Sequence, residues 1–201
     1  MSLKAVLSRP WVYRLFSQAV GVARCRSIFV RDYIRPWPGA RILDIGCGPG
    51  DILNSLPNAQ YVGVDISPDY IRAAQERFGC RGEFVCRSVN DYVVEQPHTF
   101  DIVLATGVLH HLDDGEADSL LRVAKQALKP GGRFVSFDGC FTLNQSWFAR
   151  WMLQNDRGQH VRQREEYLRL ASAQFPHVET HLHHRLLNIP YTHLIMVCSA
   201  D

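Results

Sequence analysis

The stretch ILDIGCGPGD, residues 42–51, decides the reading of this chain. An apolar run enters three glycines and a proline, the pattern of a buried strand that turns tightly into a helix. A glycine turn after a strand ordinarily cradles phosphate on backbone N–H groups. Here an acid, Asp44, stands two residues before the first glycine. The glycines Gly46, Gly48 and Gly50 are spaced G-x-G-x-G, whereas dinucleotide sites use G-x-G-x-x-G. A carboxylate at that point repels a pyrophosphate and attracts an ammonium or a sulfonium. A second acid, Asp65, ends the next apolar run, QYVGVD (60–65), where it can accept both hydroxyls of a ribose. The two acids and the turn between them suit a cofactor with an adenosine end and a cationic amino-acid end.

Outward from this point the pattern alternates. RILDIG (41–46), QYVGVD (60–65), GEFVCRS (82–88), FDIVLATG (100–107) and GRFVSFDG (132–139) read as strands. Between them lie a short helix near 51–56 and a helix over SPDYIRAAQERF (67–78), capped by Ser67 with Pro68 at its first position. A longer helix spans 114–132, with Asp114 as its cap. Such alternation predicts an α/β fold, a doubly wound, mostly parallel sheet with helices on both faces. HVETHLHH and YTHLIMVCS are separated only by 185–190, too short for a crossover, so they are expected to pair antiparallel. Residues 5–35 read as two helical segments broken near Gly21, stopped by RPWPGA (35–40). The expected organisation is a single domain over 1–201. It comprises a helical cap (1–38), a cofactor-binding core (39–139), a lid insertion over the site (140–176) and a terminal strand pair (177–201).

Composition sets outer limits. At 46 % apolar residues the chain can bury a sizeable core, and at 21 % charged it does not read as disordered. No apolar run approaches the roughly 18 residues of a membrane span, and Arg9, Pro10 and Arg14 break any signal-peptide core. The six cysteines form no C-x-x-C pair, which suits free thiols in a reducing, cytoplasmic setting. The net charge of +2 divides unevenly: residues 1–35 carry +6 and the remainder −4. That basic segment is either a solvated helical face or a surface that attracts acidic substrates or anionic lipid head groups, so peripheral membrane contact stays open.

These residues resemble the class I S-adenosylmethionine-dependent methyltransferases, over about residues 40–140 and, by topology, the terminal strand pair. LDIGCGPGD is similar to the family's first motif and VGVDISPDYI to its second. FDIVLATGVLHHLDD and LKPGGRFVSFD are similar to its fourth and fifth strands with their flanks. The resemblance implies a seven-stranded sheet of order 3-2-1-4-5-7-6 with strand seven antiparallel, and S-adenosylmethionine as cofactor, with S-adenosylhomocysteine as its product. It places Asp44, Gly46, Cys47 and Gly48 around the methionine end, Asp65 on the ribose, Ile66 against the adenine, and Thr106 and Gly107 against the cofactor from strand four. After strand three the family often has an acid for the adenine amino group. Ser88 stands there, with Val89 next, so that contact falls to backbone, to Asn90 or to Asp91.

Methyl transfer is an in-line displacement, so the protein mainly aligns the nucleophile and excludes water. A base is needed only where the nucleophile arrives protonated. His110 and His111, after strand four, either serve in proton transfer and cofactor contact or hold the turn in shape. In the lid, Trp147 and Trp151 belong to an apolar stripe, and Arg157, His160 and Arg162 to a basic turn. With Tyr191 they are the candidate acceptor-binding residues, the alternative for the aromatics being a helix packed on the sheet. The basic lid suggests an acidic or phosphate-bearing acceptor of small or medium size. His181 and His183 share a strand face without a third ligand, so no metal is expected. The absence of an Asn/Asp-Pro-Pro-aromatic motif after strand four argues against DNA as a partner. An RNA or protein methyltransferase, or a non-catalytic S-adenosylmethionine-binding module, remain the alternatives, and the oligomeric state is open.

Overall fold

A computed structural model describes residues 20–56, 58–155 and 158–200. Its strands are β1 (Arg41–Ile45), β2 (Gln60–Asp65), β3 (Gly82–Cys86), β4 (Phe100–Thr106), β5 (Leu128–Phe141), β6 (Arg162–Gln163), β7 (His177–His183) and β8 (His193–Ser199). They run in the order β3-β2-β1-β4-β5-β8-β7, with the two-residue β6 paired beside the end of β5. The first five are mutually parallel, and β8 is antiparallel to both β5 and β7. Once β6 is counted, this is the strand order the sequence resemblance implies. The helices are α1 (Val22–Phe29, continuing into a π turn over Val30–Ile34), α2 (Pro68–Phe78), α3 (Val89–Glu95), α4 (Asp114–Ala127), α5 (Trp147–Gln154) and α6 (Arg164–Gln174).

The central strands are apolar on both faces, as parallel strands between helices must be. Alternate residues divide between two layers. Leu43, Ile45, Val103, Ala105 and Phe134 pack against Tyr92 of α3, Leu120, Leu121 and Ala124 of α4, and Tyr167 and Leu170 of α6. Ile42, Ile102, Leu104, Val135 and Ile195 pack against Phe29 and Ile34 from the N-terminal helix and Ile71, Ala74 and Phe78 of α2. Both layers are closed, so a ligand is left the rim beyond the carboxyl ends of the strands.

Local chemistry moves several boundaries. Asp113, not Asp114, caps α4: its side chain accepts from the Glu116 N–H at 2.8 Å and Glu116 returns a bond to the Asp113 N–H at 3.1 Å. This helix stops at Ala127, five residues earlier than the sequence suggests, and β5 starts at Leu128, because Pro130 cannot sit inside a helix. The third strand stops at Cys86, and Ser88 caps an unanticipated helix, α3, by accepting from the Asn90 N–H at 3.3 Å. Part of the expected lid is scaffold: α6 buries Tyr167, Leu170 and Ala171, and the Tyr167 hydroxyl donates to the Gly139 carbonyl at 3.0 Å. His181 and His183 are half-buried against Tyr33, whose hydroxyl lies 2.5 Å from His183 Nε2. Among the described residues no three His, Cys, Asp or Glu groups are placed to hold a metal ion. None of the described helices is long and apolar enough to cross a membrane. All six cysteines are free; Cys80 and Cys86 are exposed and the other four buried.

Gly63 on β2 lies opposite Asp44 in register, and a Cβ there would sit 2.7 Å from the Cys47 sulfur and 3.1 Å from Phe84. Gly63→Ala is therefore expected to cost about 1–3 kcal/mol, read from urea unfolding, because Cys47 and Phe84 have no room to retreat.

Candidate functional site

The turn after β1 is clamped to β2 by its own backbone. The N–H groups of Gly46 and Cys47 both donate to the Val64 carbonyl, at 2.8 and 3.2 Å. The Gly48 N–H donates to Asp65 Oδ2 at 2.9 Å and the Ser67 N–H to Asp65 Oδ1 at 2.8 Å. Two backbone donors thus orient the Asp65 carboxylate, and each oxygen keeps a lone pair for a ligand hydroxyl. No atom lies within 4 Å of a Cβ position on Gly48, whose φ of 53° a side chain would strain, so a ligand can approach the backbone closely.

Over this turn opens a cleft of about 560 Å³, within the range for small-molecule sites. Its wall brings together eight of the residues singled out from sequence: Gly46, Gly48, Asp65, Ile66, Ser88, Val89, Gly107 and His111. Ser88 acts here as a helix cap and presents the start of α3, with Asn90, to the cleft. Ile66 is 78 % exposed, an apolar side chain left at the rim with nothing packed over it.

Asp44, Cys47 and Thr106 lie behind that wall. Asp44 is buried, with Oδ2 accepting from the Tyr61 hydroxyl at 2.6 Å and Oδ1 without a partner. Burial pushes its carboxyl up to about 7; the Tyr61 bond pulls the other way, and the charge on Asp65 pushes further up. The sequence suggests a fixed anion here, whereas the structure holds an acid poised near neutrality. The Cys47 sulfur turns towards Gly63, and burial pushes its thiol well above the usual range. The Thr106 hydroxyl is buried without a partner.

The two histidines part company. His111 is exposed in the cleft wall, and His110 is buried beneath it with ring centroids 4.3 Å apart. Asp138, at the end of β5 and 2 % exposed, takes the His110 ring Nδ1 at 2.9 Å and its backbone N–H at 3.2 Å, both on Oδ1. The far edge of the ring lies between Gly107 and Gly158. Sequence reasoning missed Asp138, although its signal was there: a lone acid inside the apolar run FVSFDG.

The lid candidates separate likewise. Arg162 is buried and donates to the carbonyls of Leu109, His160 and Leu112 at 2.9, 3.1 and 2.7 Å and to Asp114 at 3.0 Å. It ties the segment before α6 to the turn carrying His110 and has no donor left to grip an acceptor. The His160 N–H donates to the His110 carbonyl at 2.9 Å. Trp147 and Trp151 are exposed and do not wall the cleft. The Tyr191 ring lies 4.6 Å from that of His193, which stacks on Phe137 at 4.5 Å. Arg157 lies outside the described residues.

This sheet order and a cleft over a glycine turn with a strand-end acid define a class I, S-adenosylmethionine-dependent methyltransferase domain. A family model described as a methyltransferase domain matches residues 42–132 of this chain. It is 35 % identical over 114 residues to the ubiquinone biosynthesis O-methyltransferase of Xanthomonas euvesicatoria, covering 54 % of this chain and 45 % of that protein. The match thus spans about half the length of the curated relatives. Among solved structures, an S-adenosylmethionine-dependent methyltransferase of Methanosarcina mazei superposes with a TM-score of 0.65 at 18 % identity, over 85 % of this chain and 96 % of that one. The cyclase SpnF superposes with a TM-score of 0.65 at 16 % identity, over 88 % and 80 %.

Two outcomes follow from the geometry. The raised Asp44 carboxyl means that the folded chain holds this proton between about pH 4, the unfolded value, and about pH 7, where the unfolded chain has lost it. The stability that Asp44 contributes therefore falls as pH rises through that window. The difference in unfolding free energy between wild type and Asp44→Asn, measured in urea at a series of pH values, should change across the window and level off above it. Arg162→Leu strands three carbonyls and should cost about 3–5 kcal/mol in the same assay.

Proposed function

We propose that this chain transfers a methyl group from S-adenosylmethionine to a hydroxyl of a small acceptor. The observation that carries this is the buried His110–Asp138 pair directly beneath the cleft wall. A hydroxyl must lose its proton as it attacks, and a histidine held by a carboxylate is the side-chain arrangement suited to take it. Asp138 orients the ring through Nδ1 and stabilises the imidazolium that forms. In this reading the acceptor's proton passes to the His110 ring.

The cleft suits the cofactor. Gly46 and Gly48 admit close approach at the methionine end, Asp65 presents two oxygens to the ribose, and Ile66, Ser88 and Val89 flank the adenine. Asp44, with one unpaired oxygen behind the turn, supplies negative potential to the cationic end, and Cys47, Thr106 and Gly107 complete that end. Bound there, S-adenosylmethionine supplies a methyl already activated by the sulfonium. The chain's residues have then to align the acceptor and keep water out. The core over 39–139 holds the cofactor. In this reading Gly158, beside the His110 ring, and the neighbouring rings of Tyr191 and His193 border the acceptor side. The name of the Xanthomonas relative favours an aromatic hydroxyl as acceptor. Arg162 is spent internally, so the case for an acidic acceptor loses its main lid residue.

Calorimetric titration with S-adenosylmethionine, S-adenosylhomocysteine and NAD, followed by a turnover screen of hydroxylated aromatics, tests the reading. Binding of the first two and methylation of a hydroxyl are expected. Binding of NAD alone would overturn the reading, and cofactor binding without turnover on any acceptor would make the chain a binding module. His110→Ala should lower turnover by about 10²–10⁴ and leave cofactor affinity unchanged. A cation beside Asp44 favours its ionised form, so cofactor affinity should rise with pH towards and through about 7, with proton release below that pH. Asp44→Asn should flatten this dependence.

A further inference from the structure

Sixteen arginines lie among the described residues, and fourteen make an ion pair, a hydrogen bond or a ring contact. The two that make none, Arg24 and Arg185, line the same cleft with His184 and Asn188, and no carboxylate lines it with them. Two like charges left unneutralised side by side raise the local potential and favour an anionic partner.

An apolar face lies on α5, linked to this cleft through Gln145, Thr192 and His184. α5 turns Ala149 and Leu153 inward and leaves Trp147 79 %, Trp151 52 % and Phe148 39 % exposed, their rings stacked edge-on and face-on at 5.7 and 5.8 Å. Leu143, just before the helix, is 93 % exposed and shares a second cleft with His184. Gln145 donates to the Thr192 hydroxyl at 2.8 Å, which in turn meets His184 Nδ1 at 3.2 Å. The apolar helix and the basic loop are thereby joined through one hydroxyl. The acids of the second cleft are Glu165 and Glu166, and Glu166 accepts from the Gln163 N–H at 2.7 Å in the capping box of α6.

We propose that this face docks on an anionic lipid bilayer, with Trp147, Phe148, Trp151 and Leu143 entering the interface and Arg24, Arg185 and His184 meeting lipid phosphates. Indole rings favour the boundary between head groups and acyl chains, and flanking basic groups add electrostatic attraction. Arg24 belongs to residues 1–35, which together carry +6. The inference does not rest on the methyl-transfer reading.

Flotation of the 201-residue chain with phosphatidylcholine vesicles, with and without phosphatidylglycerol, tests it. Partition should need phosphatidylglycerol and weaken as salt screens it. The double variant Arg24→Gln/Arg185→Gln should lose about 30-fold in partition, about five-fold per charge. Trp147→Ala/Trp151→Ala should lose roughly ten-fold. All four side chains are exposed, and unchanged circular dichroism would confirm folding. In the wild type, bromine-labelled phosphatidylglycerol should quench tryptophan fluorescence, and that needs no variant. Equal partition onto neutral vesicles, no partition at all, inorganic phosphate displacing the chain at low salt, or a concentration-dependent dimer that ignores vesicles would each overturn the proposal.

Discussion

The Val64 carbonyl accepts from two successive N–H groups of the glycine turn, and the site depends on that clamp. It joins the end of β1 to the end of β2, with Asp65 closing the same turn through Gly48. The clamp is rigid because both strands are buried on two faces, so neither can shift without opening a packed layer. The cleft floor is thereby set before any ligand arrives, which lowers the cost of ordering on binding. Gly63 is the complementary concession. A strand residue gives up its side chain so that Cys47 can pack beneath the turn.

Three acids stand near this rim, held in different ways. Asp65 is oriented by backbone donors at the surface of the cleft. Asp44 and Asp138 are buried at the ends of β1 and β5, each with one oxygen satisfied and one left without a partner. Unsatisfied buried oxygens are costly, and folded proteins keep few of them. Their occurrence on both sides of β4, whose exit carries Gly107 and His110, concentrates unspent polar capacity where cofactor and acceptor would meet. The near-neutral poise of Asp44 follows from its burial, and the hold on His110 from the placement of Asp138 beneath its turn. Neither follows from residue type.

The segment between β5 and β7 does two jobs that its composition does not separate. Tyr167, Leu170 and Ala171 make α6 a layer of the core, and Arg162 fastens the strand before it to the histidine turn. Only α5 stays peripheral, with its aromatic side chains outward. A basic, aromatic stretch in the sequence thus divides into an internal tie and an external face. The difference lies in which carbonyls come within reach of one guanidinium.

The sequence by itself determined the alternation of strands and helices, the glycine turn and the strand-end acid, because apolar runs, tight turns and crossover lengths are local properties of a chain, whereas the strand order was implied by the family resemblance. Ser67 as a cap and the antiparallel final pair were readable for the same reason. Three contacts were not: Tyr61 on Asp44, Asp138 on His110, and the carbonyls of 109 and 112 on Arg162. Each joins residues far apart in the chain, the nearest 17 positions and the farthest 53. Sequence spacing carries no record of such distances. Tertiary structure alone decided which acid is buried, which histidine is held and which arginine is spent, since burial and hydrogen-bond partnership exist only after the layers have closed.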